Sequence, residues 1–160
     1  MLVERNILSS ALNNAARIAS SRATLAVLAN AQITCHGLAD VLIIRATDLE
    51  RGLEQRIPTS SGDDEFDTTV NARMIAETVN AMMGAEVELT IERGKLIVKS
   101  DKAVTELLTI PASEFPPFAP MPNSEPIDAA AFVEAASRVM VAASTEEARP
   151  VLQGVNCDGF

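Results

Sequence analysis

The sequence is poor in the residues that most often carry chemistry or hold nucleic-acid bases. Among its 160 residues there is no tryptophan or tyrosine, and phenylalanine alone supplies the 3% aromatic content. Because exposed bases are usually held by stacking on aromatic rings, this composition excludes a typical single-strand binding platform. The chain has one histidine, His36, and two cysteines, Cys35 and Cys157, without a CxxC spacing. Neither a disulfide framework nor a zinc motif is therefore predicted.

Long hydrophobic runs and positive charge are also scarce. No stretch approaches the roughly 18 apolar residues of a membrane span, and Glu4 and Arg5 interrupt the apolar start that a signal peptide needs. We therefore expect a cytoplasmic protein without membrane contact. Lysine and arginine total 13 against 22 aspartate and glutamate residues, a formal net charge of -9. At long range this charge repels phosphate, which argues against a conventional nucleic-acid binder unless the basic residues are segregated.

The sequence does have 48% hydrophobic residues, enough for a buried core, in a pattern that repeats. A helical periodicity over residues 5–18 is followed by three strand-like stretches, and a second one over about 72–83 by three more. Gly84 is expected to cap the second helix. We interpret the order as an internal repeat of one helix-plus-strands unit, which predicts an α+β fold. The strand-like stretches are 31–35, 41–46, 53–57, 87–91, 96–99 and 104–110.

A proline-rich stretch divides the chain. Six prolines between Pro111 and Pro126 bar a regular helix or a central strand and predict an extended linker. A domain boundary is therefore expected within it. The domains that this boundary defines are a first domain at 1–115, a linker at 116–126 and the start of a second domain at 127–160.

The last part of the chain looks like the opening of a further repeat. Asp128 is expected to cap a third helix, which carries apolar residues at helical spacing, and residues 151–157 are expected to form a strand. An Asp-Gly turn signal follows that strand, but its return strand is missing. A strand without a partner leaves an exposed edge, so we expect the natural protein to continue beyond Phe160.

Two groups of side chains offer catalytic or metal-binding chemistry. Cys35 and His36 are an adjacent nucleophile and base, but neighbours on a strand point to opposite faces and cannot share a proton. Asp48 and Glu50, with His36, allow an alternative function as a small α+β metal-dependent enzyme or metal-binding domain. A solvated turn is the competing interpretation, because the spacing matches no EF-hand. No other motif argues for an enzyme.

The arginines are more informative by their positions than by their number. Arg17 lies on the polar face of the first predicted helix, Arg22 follows that helix, and Arg73 opens the second. If the two repeats pack side by side on a shared sheet, these polar faces line one surface while the acids concentrate elsewhere. Ordinary solvated helix faces are the competing interpretation.

Four short motifs occur in one order along the chain. They are 21–30 (SRATLAVLAN), 46–50 (ATDLE), 109–116 (TIPASEFP) and 149–155 (RPVLQGV). The first resembles the R-x-T-L-P-I-L-x-N stretch of the bacterial beta sliding clamp, the processivity subunit of DNA polymerase III. The others are similar to motifs of the same family in its order and spacing. The resemblance implies a DNA clamp fold with three domains per chain, each built from two helix-plus-antiparallel-strands units.

The resemblance also implies a function in DNA replication. Two full-length chains of the family close head to tail into a homodimer ring around duplex DNA, which they hold without sequence preference. Such a protein is not an enzyme and needs no metal or other cofactor, because it tethers the polymerase by topology. By similarity, Arg22 matches a DNA-contacting arginine of the family, and Arg17 and Arg73 are expected on the inner face of the ring.

Protein partners are implied in the same way. In the family, DNA polymerase III subunits, the clamp loader and repair polymerases bind through short peptide motifs. Arg149 and Leu152 match the edge of the peptide pocket, whose other residues would lie beyond the chain, so we expect poor peptide binding or none. Ring closure uses an edge strand of the first domain, matched here by 104–110, with Leu107 and Thr105 expected at the dimer interface.

Overall fold

The chain folds into two compact units, Met1–Phe118 and Ala119–Phe160. The computed structural model describes residues 1–20, 25–36, 40–60, 65–118, 126–146 and 148–157. Across these ranges no helix is long and apolar enough to cross a membrane.

The first unit contains the order strand, helix and three strands, twice. The first set is β1 (Leu2–Glu4), α1 (Arg5–Ile18), β2 (Asn30–His36), β3 (Val41–Thr47) and β4 (Gly52–Pro58). The second set is β5 (Phe66–Asn71), α2 (Ala72–Ala81), β6 (Glu86–Glu92), β7 (Lys95–Ser100) and β8 (Ala103–Pro111). Short 3-10 turns lie at Ala26–Ala29 and Ala112–Glu114. The predicted α+β fold and its repeat are confirmed, and each repeat gains a first strand, β1 or β5.

All eight strands form one antiparallel sheet in the order β1-β6-β7-β8-β5-β2-β3-β4. The first strand of each repeat pairs with the second strand of the other, β1 with β6 and β5 with β2, so the repeats interlock. The two four-stranded halves meet where residues 68–70 of β5 pair with 109–111 of β8. At the opposite ends of the sheet, the Ser60 amide donates to the Leu2 carbonyl at 2.8 Å. The sheet therefore curves until its outermost strands approach each other.

Both helices pack on one face of the sheet, which we call the helix face; the other is the outer face. Because apolar residues recur every three or four positions, each helix presents one buried stripe. Fully burying one leucine side chain stabilises the fold by about 1.5–3 kcal/mol, so this layer dominates the stability of the unit. The stripes pack against buried strand residues such as Ile33, Leu42 and Leu89. Their members are Leu8, Ala11, Leu12 and Ala15 in α1 and Ala72, Ile75, Ala76 and Val79 in α2.

The ends of α2 differ from the prediction. Asn71 caps its start, because its Oδ1 accepts a hydrogen bond from the Met74 amide at 3.0 Å. The helix ends at Ala81, so the predicted cap at Gly84 is wrong. Gly84 is buried instead, and a Cβ there would lie 2.3 Å from the Ser100 Oγ. Close packing against the β7–β8 turn, rather than a helix cap, therefore requires glycine at this position.

The described part of the second unit contains one α-helix, α3 (Ala129–Met140), and a 3-10 turn at Pro150–Gln153. Asp128 caps α3 as predicted. Its Oδ1 accepts hydrogen bonds from the Ala130 amide at 2.9 Å and from the Ala131 amide at 3.2 Å. The predicted strand at 151–157 is wrong: its first residues belong to the 3-10 turn and the rest has no regular structure. A strand needs a hydrogen-bonded neighbour, and this unit has no strand among residues 126–146 and 148–157.

Candidate nucleic-acid interface

The helices α1 and α2 lie antiparallel and turn their polar sides away from the sheet. At one end of the pair, Arg5 Nη1 at the start of α1 donates to the Met82 carbonyl just after α2, at 3.1 Å. At the other end, Ala16 and Arg73 line one small depression of about 170 Å³. The two amphipathic sequences thus join their polar faces into a single surface, which we call the helix-pair surface.

A neutral hydrogen-bonded cluster joins the two helices in the middle of this surface. The Asn80 amide nitrogen donates to Asn13 Oδ1 at 3.0 Å, and Asn80 Oδ1 accepts from Ser9 Oγ and, at 3.4 Å, from the Asn13 amide nitrogen. These side chains are short and partly exposed, so they add polarity without charge. The centre of the helix-pair surface is therefore made of amides and a hydroxyl.

Two exposed arginines share one end of the helix-pair surface. Arg17 lies in the last turn of α1, beside Ala16, and Arg73 is the second residue of α2. Because Ala16 and Arg73 line the same depression, the antiparallel packing brings the two arginines to the same end. Arg22, which the sequence also places here, lies outside the described residues.

Arg5 has a different task from the other arginines of the helices. Besides its bond to Met82, its Nη2 donates to Asn6 Oδ1 at 3.0 Å, and its backbone amide donates to the Ala85 carbonyl at 2.9 Å. A cation at the C-terminal end of α2 also complements the helix dipole. Arg5 therefore fastens α1 to the end of α2, and Arg17 and Arg73 remain as the exposed cations.

Charge is segregated between the helix pair and the rest of the chain. The two helices contain three arginines and one acid, Glu77, which give them a formal charge of +2. Because the whole chain has a net charge of -9, the residues outside these helices have a net charge of -11. In the first unit, the other described acids lie on strands and turns, as in the exposed pair of Lys95 with Glu106 at 2.6 Å on the outer face. The formal charge of α1 and α2 is therefore opposite in sign to that of the rest of the chain.

Strand β8 presents an open edge. Its residues 103–108 pair with β7 on one side, whereas on the other side the described pairing, with β5, begins at Thr109. Thr105 and Leu107 point to the helix face, where Leu107 is only 5% exposed and belongs to the core. On the outer face Val104 and Leu108 are 61% and 79% exposed, because successive side chains of a strand point to opposite faces.

Arg149 and Leu152 lie together in the second unit. Arg149 precedes the 3-10 turn and Leu152 lies within it, and the Leu152 amide donates to the Arg149 carbonyl at 3.0 Å. The Leu152 carbonyl in turn accepts from the Ser144 amide at 2.8 Å. Leu152 lines an open apolar depression of about 370 Å³, together with Val139 and Val151. Leu152 thus offers an apolar side chain at this surface, and Arg149 is exposed three residues before it.

The residues of the proposed metal site do not meet. His36 pairs with Val41 at one end of the β2–β3 hairpin, whereas Asp48 follows the other end of β3, seven residues after Val41. At about 3.3 Å per residue this separates them by about 23 Å. Hydrogen bonds from the backbone and side chain of Arg51 hold the pKa of Asp48 below its ordinary value. The grouping of Asp48, Glu50 and His36 is therefore wrong.

The Cys35–His36 pair also behaves as its strand position predicts. Cys35 points to the helix face and is buried in the core, whereas His36 is exposed at the end of β2. Because successive side chains of a strand point to opposite faces, the imidazole cannot take a proton from this thiol.

Comparison with known proteins identifies the family. The family model described as DNA polymerase III beta subunit, N-terminal domain, matches residues 1–119. The chain belongs to this family, and the resemblance seen in the four motifs is confirmed. The beta sliding clamp of Micrococcus luteus is 30% identical over 157 residues, 98% of this chain. The DNA polymerase III subunit beta of Pseudomonas aeruginosa matches in structure with a TM-score of 0.87 and 26% identity over 96% of the chain.

A third relative agrees in fold alone. The Helicobacter pylori beta clamp bound to DNA ligase peptide has a TM-score of 0.79 and 21% identity over 91% of this chain. The present chain covers 50% of the Micrococcus luteus protein, 42% of the Pseudomonas aeruginosa chain and 41% of the Helicobacter pylori chain. It therefore corresponds to half or less of each of these relatives.

Proposed function

We propose that this chain forms the first domain and the start of the second in a sliding clamp that encircles duplex DNA and tethers the replicative polymerase. The clamp acts by topology and catalyses no reaction. In this assignment residues 1–115 are the first domain, 116–126 the linker and 127–160 the start of the next domain. Family membership over residues 1–119 supports the proposal.

The observation that carries the proposal is the positive helix-pair surface in an acidic chain. A closed ring does not need a large attractive charge, because DNA cannot leave it sideways. Contacts to phosphates then carry no sequence information and are weak enough to permit sliding. Arg17 and Arg73, with Arg22 after α1, supply these contacts, while the acids elsewhere discourage binding of DNA to the outside of the ring.

The position of Arg73 argues for a role in binding rather than in folding. It is the second residue of α2, where the helix dipole is positive and a cation is unfavourable by about 0.3–1 kcal/mol. An exposed arginine that opposes a local stability rule is expected at a functional surface. The positive end of the helix and the guanidinium both favour an anion, and a DNA phosphate is such an anion.

Ring closure and partner binding complete the proposal. The open edge of β8 fits pairing with a strand of another domain in a homodimer ring, with Leu107 and Thr105 on the helix face of that strand. The Helicobacter pylori clamp binds a DNA ligase peptide. By analogy, Arg149 and Leu152 contribute the edge of a peptide pocket in the full-length protein, for polymerase, clamp-loader and repair-polymerase peptides.

The experiment that tests the clamp compares circular with linear duplex DNA. We expect the full-length protein, loaded on a nicked circle, to stay bound through gel filtration and to be released when the circle is linearised. Equal retention on both DNA forms would contradict encirclement.

A second measurement tests the assigned surface. Arg73→Ala and Arg17→Ala are each expected to lower the salt dependence of DNA binding by about one phosphate contact. Arg93→Ala is the matched control, since Arg93 is exposed in the β6–β7 turn, away from the helices. An Arg93 effect as large as that of Arg73 would assign binding to general charge instead.

A further inference from the structure

A short segment after β8 closes over the sheet. Residues 115–118, which we call the strap, follow the 3-10 turn at Ala112–Glu114. Phe115 at its start is buried, and Phe118 at its end is half-buried. The Phe118 ring covers Gly52, where an added Cβ would lie 2.9 Å from the ring carbon Cζ. The missing side chain of Gly52 therefore leaves the space in which the ring sits.

The other contact of the Phe118 ring is with a guanidinium held by ion pairs. Arg45 Cζ lies 5.8 Å from the centre of the Phe118 ring, within the range of a cation–π interaction. Arg45 Nε also donates to Glu54 Oε2 at 2.8 Å, and the other Glu54 oxygen accepts from Arg56 at 3.0 Å. These ion pairs restrain the Arg45 guanidinium, so less side-chain entropy is lost when the Phe118 ring packs against it.

The strap connects the two halves of the sheet. It begins at the end of β8, in the half formed by β1, β6, β7 and β8, and ends on β3 and β4 in the other half. Among the described residues, the ladder between these halves comprises only residues 68–70 with 109–111. A contact of Phe118 with Gly52 and Arg45 therefore braces a short seam from outside the ladder.

We propose that Phe118 is a latch that fastens the strap across this seam, with Gly52 as its seat and Arg45 as its electrostatic partner. The latch fixes the point at which the chain leaves the first unit. All the contacts of the latch lie within the first unit, so a test of the latch does not depend on whether the protein is a clamp.

A double-mutant cycle on the 160-residue chain tests the latch. Glu-C protease cleaves after glutamate, and Glu114 is exposed directly before the buried Phe115. Opening of the strap therefore exposes the bond between them. We expect Phe118→Ala and Gly52→Ala each to raise the cleavage rate at this bond about fivefold or more, the first by removing the ring and the second by displacing it.

The decisive result is the coupling between the two changes. In the Phe118→Ala background, Gly52→Ala should add nothing, because no ring remains to be displaced. Cleavage after Glu77, inside α2, reports unfolding of the whole unit and should not change.

Several outcomes would overturn the latch. These are a wild-type cleavage rate in Phe118→Ala, additive effects of the two changes, or a parallel rise of cleavage after Glu77. Should Phe118→Ala prevent folding, Arg45→Gln tests the same contact from the strand side. It should raise cleavage after Glu114 about threefold, in the range of a lost exposed cation–π contact, and a wild-type rate would reject the proposal.

Discussion

The two repeats of the first unit share one order of elements but differ at their last strands. In the first repeat, β4 is an outermost strand that carries Glu54 and Arg56, ends at Pro58 and lies under the strap. In the second repeat, β8 has a free stretch at residues 103–108 with exposed Val104 and Leu108. Charges and proline are the usual means by which proteins prevent an edge from pairing.

This difference shows how a repeated fold acquires two kinds of edge. The core-facing residues of both repeats do the same work, since they bury apolar stripes of α1 and α2. The outward residues and the strand ends are under no such constraint, and they differ between the repeats. One edge carries charges and a proline that oppose pairing, and the other is left available for pairing, as the proposed ring closure requires.

The largest expected effect separates the two faces of β8. Leu107→Ala should destabilise the chain by about 2–5 kcal/mol, because it leaves a cavity in the core. Leu108→Ala, one residue further along but exposed, should change stability by less than about 0.5 kcal/mol. Urea denaturation followed by circular dichroism measures both. Equal effects would mean that the strand does not present these faces as described.

A smaller effect distinguishes the starts of the two helices. Asn71→Ala should cost about 1 kcal/mol, since it removes the hydrogen bond to the Met74 amide at the start of α2. The matching position before α1 is Glu4, whose side chain makes no capping hydrogen bond. Glu4→Ala should therefore leave the urea midpoint nearly unchanged. A loss as large as that of Asn71→Ala would contradict this asymmetry.

The smallest expected effect concerns the stability of the chain in acid, to which Glu54 of the edge strand β4 contributes. The hydrogen bond from Arg45 holds the pKa of Glu54 below its ordinary value of 4.5. The unfolded chain therefore takes up this proton first as pH falls, and the stabilisation present above about pH 4.5 is lost as pH drops through the lowered folded pKa. Glu54→Gln should reduce stability at pH 7 and flatten its decline in acid. An unchanged slope between pH 5 and 3 would rule out this contribution.

The sequence predicts the parts of the fold that repeat over many residues. The helices over 5–18 and about 72–83 and the six strands after them show clear periodicity, because each packs one apolar face on the core. Strand β1 is too short to show a period, and β5 is largely polar. Their positions follow from pairing with the other repeat, which local pattern cannot reveal.

The site shows the same limit. The positions of Arg17 and Arg73 on polar helix faces are readable from sequence, but their common end depends on the antiparallel packing. Arg5 and Arg17 both lie away from the apolar stripe of the first predicted helix. Only the structure shows that Arg5 donates a hydrogen bond to the Met82 carbonyl at the end of α2. At Gly84 and Gly52 the space for a side chain is taken by residues distant in sequence, Ser100 and Phe118, which local pattern cannot reveal.

The interlocked strands have a consequence for the order of folding during synthesis. Leu2 in β1 lies opposite Glu88 in β6, 86 residues later in the chain. At about 5–20 residues per second, the ribosome needs roughly 4 to 17 s to deliver that partner. Until then the first repeat lacks a neighbour for β1, and α1 lacks α2. Strands β2, β3 and β4 can pair with one another as soon as the first repeat has been made. The β1 ladder and the layer formed by α1 and α2 can be completed only when the second repeat emerges.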